Sequence, residues 1–387
     1  MKSARWAWIL ALAAMPLLNG CAGFWDPPSN SSGGGTTTTT LSSGVFWVLN
    51  TETSQIVAYY VNAGTLTKVA TYSTPATPIT LTVSPTNNFL YLSTVNGIYL
   101  YTIASGGTLT LGNSASVIST DQAYSMQVDQ SGVWLVEAVS GSPNVYAIPI
   151  SSSTGKPTST TEQYAALPGS AIQQLAISPD DTYVFVAMGT AGTAVIPFIA
   201  SASNPFGTVG NIAVKGSSGA ALSVAVDPSV HLLYIGETSA TSGSDSGGLR
   251  AFKFASLPTL AELSGSPYAS GGLAPYSILP IASGSYVYVA NRQTNSGSTG
   301  VIKGYSIAAS SAAYSLTALG STFSAGTHTV ALAEDSTDQF IFAVSAGGSY
   351  DLTGYVFDSS SAGYLDTVIQ SATGTDPVQA SAIAAAH

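Results

Sequence analysis

Residues able to do chemistry are scarce in this chain. Its 387 residues hold one cysteine, Cys21, and three histidines, His231, His328 and His387, with nine Lys and Arg against nineteen Asp and Glu. A lone cysteine permits no intramolecular disulfide, and the Cys and His count excludes a Cys/His zinc centre. No glycine-rich loop ends in Lys-Ser or Lys-Thr to cradle phosphates. No Gly-x-Ser-x-Gly elbow presents a serine nucleophile. The loop from Ser239 to Gly248 carries Asp245 among Ser and Gly, without the acid spacing of a calcium loop. What remains is polar and nearly neutral: hydroxyls, amides, twenty tyrosines, and a few Arg, His and Glu near strand ends.

The elements that must position such residues are short strands. From Val45 onward, β-branched and aromatic runs alternate with Gly, Ser, Thr and Asn turns, and no stretch has a useful helical period. The runs repeat. An apolar strand ends in a turn near Val83-Ser84-Pro85, Val128-Asp129, Ile177-Ser178-Pro179, Val226-Asp227-Pro228, Leu279-Pro280 and Ala333-Glu334-Asp335. A second strand follows each turn, starting at Phe89, Val133, Tyr183, Leu232, Tyr286 and Phe340. A third carries an aromatic, and a fourth, less regular segment leads to the next copy. Four strands at a period of about 50 residues predict an all-β, seven-bladed propeller of four-stranded blades. Six copies start inside the chain. Val45–Asn50 is a second strand without a first, and Asp376–Ala385 resembles a first strand without a second. The two ends are expected to pair and close the ring, removing two exposed edges.

The repeated Ile/Val-Ser/Asp-Pro turn and the Tyr-Val-rich strand after it resemble the lactonase-like seven-bladed propellers. That is the family of 6-phosphogluconolactonase and the fungal muconate-lactonising enzymes, with the related YVTN-type repeats. The resemblance covers most of Val45 to His387, and its best copy is Tyr286-Val287-Tyr288-Val289-Ala290-Asn291-Arg292. It implies that first-strand starts and second-strand ends meet at one face around a central channel. Counted back from the turns, one slot there reads Thr80, Ser125, Gln174, Ser223, Ser277, Thr329 and Gln379. The slot before it reads Ile79, Tyr124, Gln173, Leu222, Tyr276, His328 and Val378. Family members that process anionic lactones place Arg and His here, where cations hold an anion and a base activates water. In this chain three such candidates remain. Arg292 matches the family's Asn-Arg strand end, Glu237 aligns with Asn291 near a strand-end glutamate, and His328 stands where some members carry Arg. Glu137 is read as the equivalent strand end two repeats before Glu237. Tyr124, Gln173, Gln174, Tyr276, Ser277 and Asn291 would line a ligand site. Asp180, Asp181 and Asp335 are read as solvated turn formers, and His231 as a surface residue of the opposite face.

The first forty residues are of another kind. Lys2 and Arg5 precede the apolar run Trp6 to Leu18, and Leu18-Asn19-Gly20-Cys21 resembles a bacterial lipobox. Residues 1–20 are therefore expected to be a lipoprotein signal peptide, with Cys21 lipidated. Residues 21–40, rich in Ser, Gly and Thr, form a disordered tether, and 41–387 form the propeller. The expected place is the bacterial cell envelope, periplasmic side or cell surface, with the membrane as partner through Cys21. A formal charge of −10 leaves no basic face for nucleic acid. No cofactor or metal is expected, and the molecule is read as a monomer. Two functions fit: an envelope propeller presenting a neutral polar face to a glycan, small molecule or protein, or a lactone hydrolase or cycloisomerase. In the second, Arg292 is the electrophile and His328 or Glu237 the base.

Overall fold

The inner strand pairs of the ring include hairpins whose turns are closed by a buried side chain. Asp129 Oδ1 accepts the N–H groups of Val133 and Trp134 (2.8 and 2.7 Å), and Asp227 Oδ1 those of His231 and Leu232 (2.6 and 3.0 Å). Asp335 Oδ1 does the same for Gln339 and Phe340 (3.1 and 2.8 Å), and Ser178 Oγ for Thr182 and Tyr183 (3.1 and 2.9 Å). A carboxylate or hydroxyl here satisfies the amides that open the second strand, which explains the repeated Ser/Asp of the turns. Asp335 is thus buried, not solvated. Asp181 also differs from expectation, since its carboxylate accepts the N–H groups of Gln130 and Ser131 (2.7 and 2.9 Å) in the turn of the neighbouring blade. His231 is exposed, as the sequence suggests.

The computed structural model describes residues 44–387 except 63, 140, 230, 257–258, 310–312, 371–376 and 378. The signal segment, Cys21, the tether and Val378 lie outside the described residues. The described chain forms seven antiparallel sheets. Blades 1 to 6 begin with the first strands Pro78–Val83, Ala123–Val128, Gln174–Ile177, Ala221–Val226, Pro275–Pro280 and Thr329–Glu334. In each, three further strands follow outward in chain order, and blades 4 and 5 add a short fifth, Tyr268–Ala269 and Phe323–Thr327. Blade 7 takes its first strand, Ala380–Ala385, from the C-terminus and the other three, from Val45–Asn50 outward, from the N-terminus. Phe46 pairs with Ala385 and Asn50 with Ala380, so the two ends close the ring as expected.

The core is divided among the blade interfaces. Each of the seven hydrophobic clusters joins two neighbouring blades; Trp134, Val136 and Ala138 of blade 2, for example, pack on Leu175, Val184 and Val186 of blade 3. Because both sheet faces meet a neighbour, second strands are buried on both sides. All six residues of Val45–Asn50, Phe89–Thr94, Leu232–Glu237 and Phe340–Ser345 are buried. An aromatic stands two or three residues before the second-strand end in six blades: Trp47, Tyr91, Phe185, Tyr234, Tyr288 and Phe342, each with no exposed surface. Several anchor a neighbouring turn, as when Tyr91 Oη donates to Gly155 O (2.9 Å) and Tyr288 Oη to Gly363 O (2.7 Å).

Candidate functional site

The near face of the ring is where first strands start and second strands end. In every blade but the third the first-strand ladder skips one residue after its first pair: Ile79, Tyr124, Leu222, Tyr276, Val330 and Ser381. A bulge leaves its extra residue unpaired and re-aims its side chain, here at the channel mouth. Blades 2 and 5 are three steps apart in a ring of seven, so Tyr124 and Tyr276 face each other across the mouth. They meet there. The Tyr276 hydroxyl, aided by burial, holds the Tyr124 phenol up at about 12, while the charge of Arg292 pulls the other way. The Arg292 guanidinium carbon lies 5.2 Å from the centroid of the Tyr276 ring, a cation–π contact. Tyr124 is 43% exposed, and no ion pair among the described residues takes up Arg292. The structure thus gathers three of the expected residues into one constellation: two phenols and one unneutralised guanidinium.

Other expected residues are spent on the scaffold. Asn291 is fully buried; its amide donates to Ser270 O (2.6 Å) and accepts from Ser270 Oγ (2.7 Å). Glu237 pairs with Ala221 where Asn291 pairs with Pro275, so the two are equivalent strand ends, as read from sequence. Glu237 is also fully buried, with Oε1 on Arg250 Nη1 and Oε2 on the Lys215 N–H, both at 2.8 Å. Both carboxylate oxygens are taken, which leaves Glu237 no means of serving as a base at the mouth. The hydroxyl and amide ring stitches neighbouring first strands together. Leu175 N–H donates to Ser125 Oγ (3.0 Å), Val224 N–H to Gln174 Oε1 (3.0 Å) and Leu332 N–H to Ser277 Oγ (3.1 Å), while Ser223 Oγ donates to Pro275 O (2.8 Å). Gln173 stays half-buried at the mouth, its amide on Ala171 O (3.0 Å).

His328 requires a correction of register. Thr329 pairs with Ser345 as Pro275 pairs with Asn291, so blade 6 carries Val330 and Ala331 where blade 5 carries Tyr276 and Ser277. In blade 7 the polar slot holds Ala382, not Gln379, because Ala380 opens that strand. Neither blade has a hydroxyl or amide at the true slot; in blade 6 the slip is two residues, which keeps every side chain on its own face, so alternation cannot reveal it. His328 stands just before the first strand with φ +55°, as Gln379 does with φ +50°, so this left-handed step is a recurring way into a first strand. It remains on the near face: its N–H donates to Ser298 O (3.0 Å), at the far end of the loop that Arg292 begins.

One cluster was not anticipated. Glu137 pairs with Met126 and Tyr146, two residues short of the strand end, so it is not the counterpart of Glu237. It is fully buried and shares a 4.8 Å neighbourhood with Asp121 and Glu162. Burial first, then the Asp121 and Glu162 carboxylates, hold Glu137 well above the usual carboxylate range. The sequence did carry a signal, since no Lys or Arg occurs between Lys68 and Lys156 to neutralise acids in that stretch. A cavity of about 580 Å³ lies elsewhere again, at the far end of the channel, bordered by Gln127, Asp181, Glu334, Asp338 and the C-terminal His387.

Residues 40–173 match the family model "Lactonase, 7-bladed beta-propeller". No curated protein matches the chain. Among solved structures, a candidate 6-phosphogluconolactonase from Bacteroides fragilis superposes with a TM-score of 0.68 at 14% identity, covering 91% of this chain and 99% of that one. A periplasmic gluconolactonase from Pseudomonas aeruginosa superposes at 0.66 with 18% identity, covering 88% and 98%. Residues 40–173 thus resemble the lactonase family, and the chain as a whole shares the seven-bladed β-propeller fold of these solved structures.

Proposed function

We propose that the chain hydrolyses a small lactone bound at the near mouth of the channel. The observation that carries this reading is the convergence at the rim of Tyr124, Tyr276 and an Arg292 that no ion pair among the described residues takes up. A lactone carbonyl lying against Arg292 meets donors where negative charge develops as water adds to its carbon. The ring C–O bond then breaks, the ring oxygen takes a proton, and the product is a hydroxy acid. His328, across the loop from Arg292, is the base that remains once Glu237 is committed to Arg250. The phenol faces suit the apolar side of a sugar-derived ring. The lactonase family match and the two gluconolactone-processing neighbours support this reading. With a single unpaired cation at the mouth, an unphosphorylated lactone is favoured over a phosphorylated one. The test is a panel of aldonolactones, with and without a 6-phosphate, presented to the full chain and to Arg292→Ala.

A second reading is a propeller that binds a glycan or protein at the same mouth without turnover. It is favoured by the structural commitment of Asn291, Glu237, Gln174 and Ser277. Glycan binding that depends on Tyr124 and Tyr276, with silence on every lactone, would select it. In either case the lipobox-like run before Cys21 supports an exported, lipid-anchored protein. Metabolic labelling with a fatty-acid analogue should tag the wild-type chain and not Cys21→Ala; equal labelling of both would overturn the anchor.

A further inference from the structure

Between blades 1 and 2, three carboxylates converge from three parts of the chain. Glu137 lies on the second strand of blade 2, Glu162 just before that blade's outer strand, and Asp121 in the connection from blade 1. By strand alternation Glu137 shares a face with Leu135, which packs against blade 1 in the interface cluster. One oxygen of each carboxylate lies within 4.8 Å of the other two. Ser119, whose backbone bridges to Ile98 of blade 1, adds a hydroxyl 3.2 Å from Asp121 Oδ2 and 3.3 Å from Glu162 Oε1.

The decisive feature is Glu137 itself. The residue is completely buried, and neither carboxylate oxygen has a hydrogen-bond partner. No Lys, Arg or His forms an ion pair with any of the three acids among the described residues. A buried carboxylate without donors, beside two more carboxylates, is costly in both charge and solvation. Blade 4 shows how the same ring neutralises acids, with Arg250 set between Glu237 and Glu262. Blade 2 has the acids and no arginine.

The geometry points to a divalent-cation site of calcium type at the blade 1–blade 2 interface, formed by Asp121, Glu137 and Glu162 with Ser119 beside them. All donors are oxygens, which suits a hard cation and disfavours the soft transition metals. Oxygens on opposite sides of a calcium ion lie about 4.6–5.2 Å apart, and about 4.0–4.2 Å apart on magnesium. A cluster spanning up to 4.8 Å accommodates calcium without rearrangement. Asp121 and Glu162 are half-exposed, leaving room for waters to complete the shell. The ion would tie two blades together and reduce three mutually repelling charges to a bridged group of net charge about −1.

The test uses the full chain stripped with EDTA, then titrated with TbCl3 under tyrosine excitation. Tyr146 is the direct cross-strand partner of Glu137 and serves as the sensitiser. The expected result is one saturable emission step at one equivalent, competed by CaCl2, and a rise in Tm on adding CaCl2 alone. Glu137→Gln should lose both effects while melting higher than the wild type in EDTA, because it removes the buried charge. Should Glu137→Gln fail to fold, Asp121→Asn and Glu162→Gln, at half-exposed positions, carry the same test. No saturable step in the wild type, or a step that survives these substitutions, overturns the site. Competition by MgCl2 as effective as that by CaCl2 overturns the calcium assignment.

Discussion

At the scale of single residues, charge in this molecule is rare and each instance is placed. Arg292 was legible because Asn-Arg closes the best-formed repeat, and Tyr124 and Tyr276 because they precede the polar slot. That these side chains meet across the mouth was not legible, since it depends on two bulges and on the spacing of blades 2 and 5 around the ring. His328 was misplaced by two residues, a shift that side-chain alternation hides. Buried acids give a residue-scale prediction. Burial and the nearby Asp338 and Asp335 push Glu334 up to about 7, against the opposing N–H of Ala282. Burial and Asp181 push Asp129 to about 6, against Ser131 and the amides of its turn. Folded values above the unfolded ones mean that the native state binds more protons between about pH 4 and 7, so stability falls as pH rises through that window. In EDTA, Tm should be higher at pH 5 than at pH 8, and Glu334→Gln should flatten the part of the curve above pH 6. A Tm that climbs from pH 5 to 8 would contradict this. The general acidity of the chain acts in the same direction, which is why the Glu334 variant is needed to isolate the specific effect.

At the scale of elements, the second strand is the unit the sequence states most clearly. It is buried on both faces, so almost every residue is apolar and the run stands out between polar turns. Fourth strands lie at the rim, alternate with exposed residues and leave a weaker trace, as in Gln163–Ala166 and Leu365–Gln370. The polar ring at the starts of first strands reads like a binding surface in sequence, because Ser and Gln look alike whether they face a ligand or a neighbouring backbone. Their partners in space decide the matter, and those are blade-to-blade amides and carbonyls. Blade 4 offers a direct test of buried charge. Arg250 is 5% exposed and holds Glu237, which has no exposed surface, at 2.8 Å. Arg250→Met leaves that carboxylate unpaired and should destabilise the protein by about 3–5 kcal/mol. Adding Glu237→Gln should recover part of the loss. A denaturant-melt difference under about 1 kcal/mol for the single variant would show that Glu237 finds another partner.

At the scale of the whole molecule, the ring is a closed set of seven blade interfaces, and the join between the two chain ends lies inside blade 7. The join was legible because each end lacked what the other supplied. Removing residues 380–387 deletes five cross-strand pairs and exposes the inner edge of Val45–Asn50. At about 1 kcal/mol per hydrogen bond, the loss should be on the order of 5 kcal/mol, seen as a large drop in Tm. An unchanged melting curve would count against closure by that strand. The closed ring in turn fixes the distance across the mouth, on which the Tyr124–Tyr276–Arg292 constellation depends. On the proposed reading, this mouth turns over a lactone through Arg292. The direct measurement is kcat/KM of the full chain on an unphosphorylated aldonolactone, beside Arg292→Ala and Arg292→Lys. Turnover should be measurable and should fall by about 10²–10³-fold in Arg292→Ala, with little recovery in Arg292→Lys, which lacks the planar fork. Turnover equal in all three proteins, or none in the wild type on any lactone of the panel, would contradict that reading.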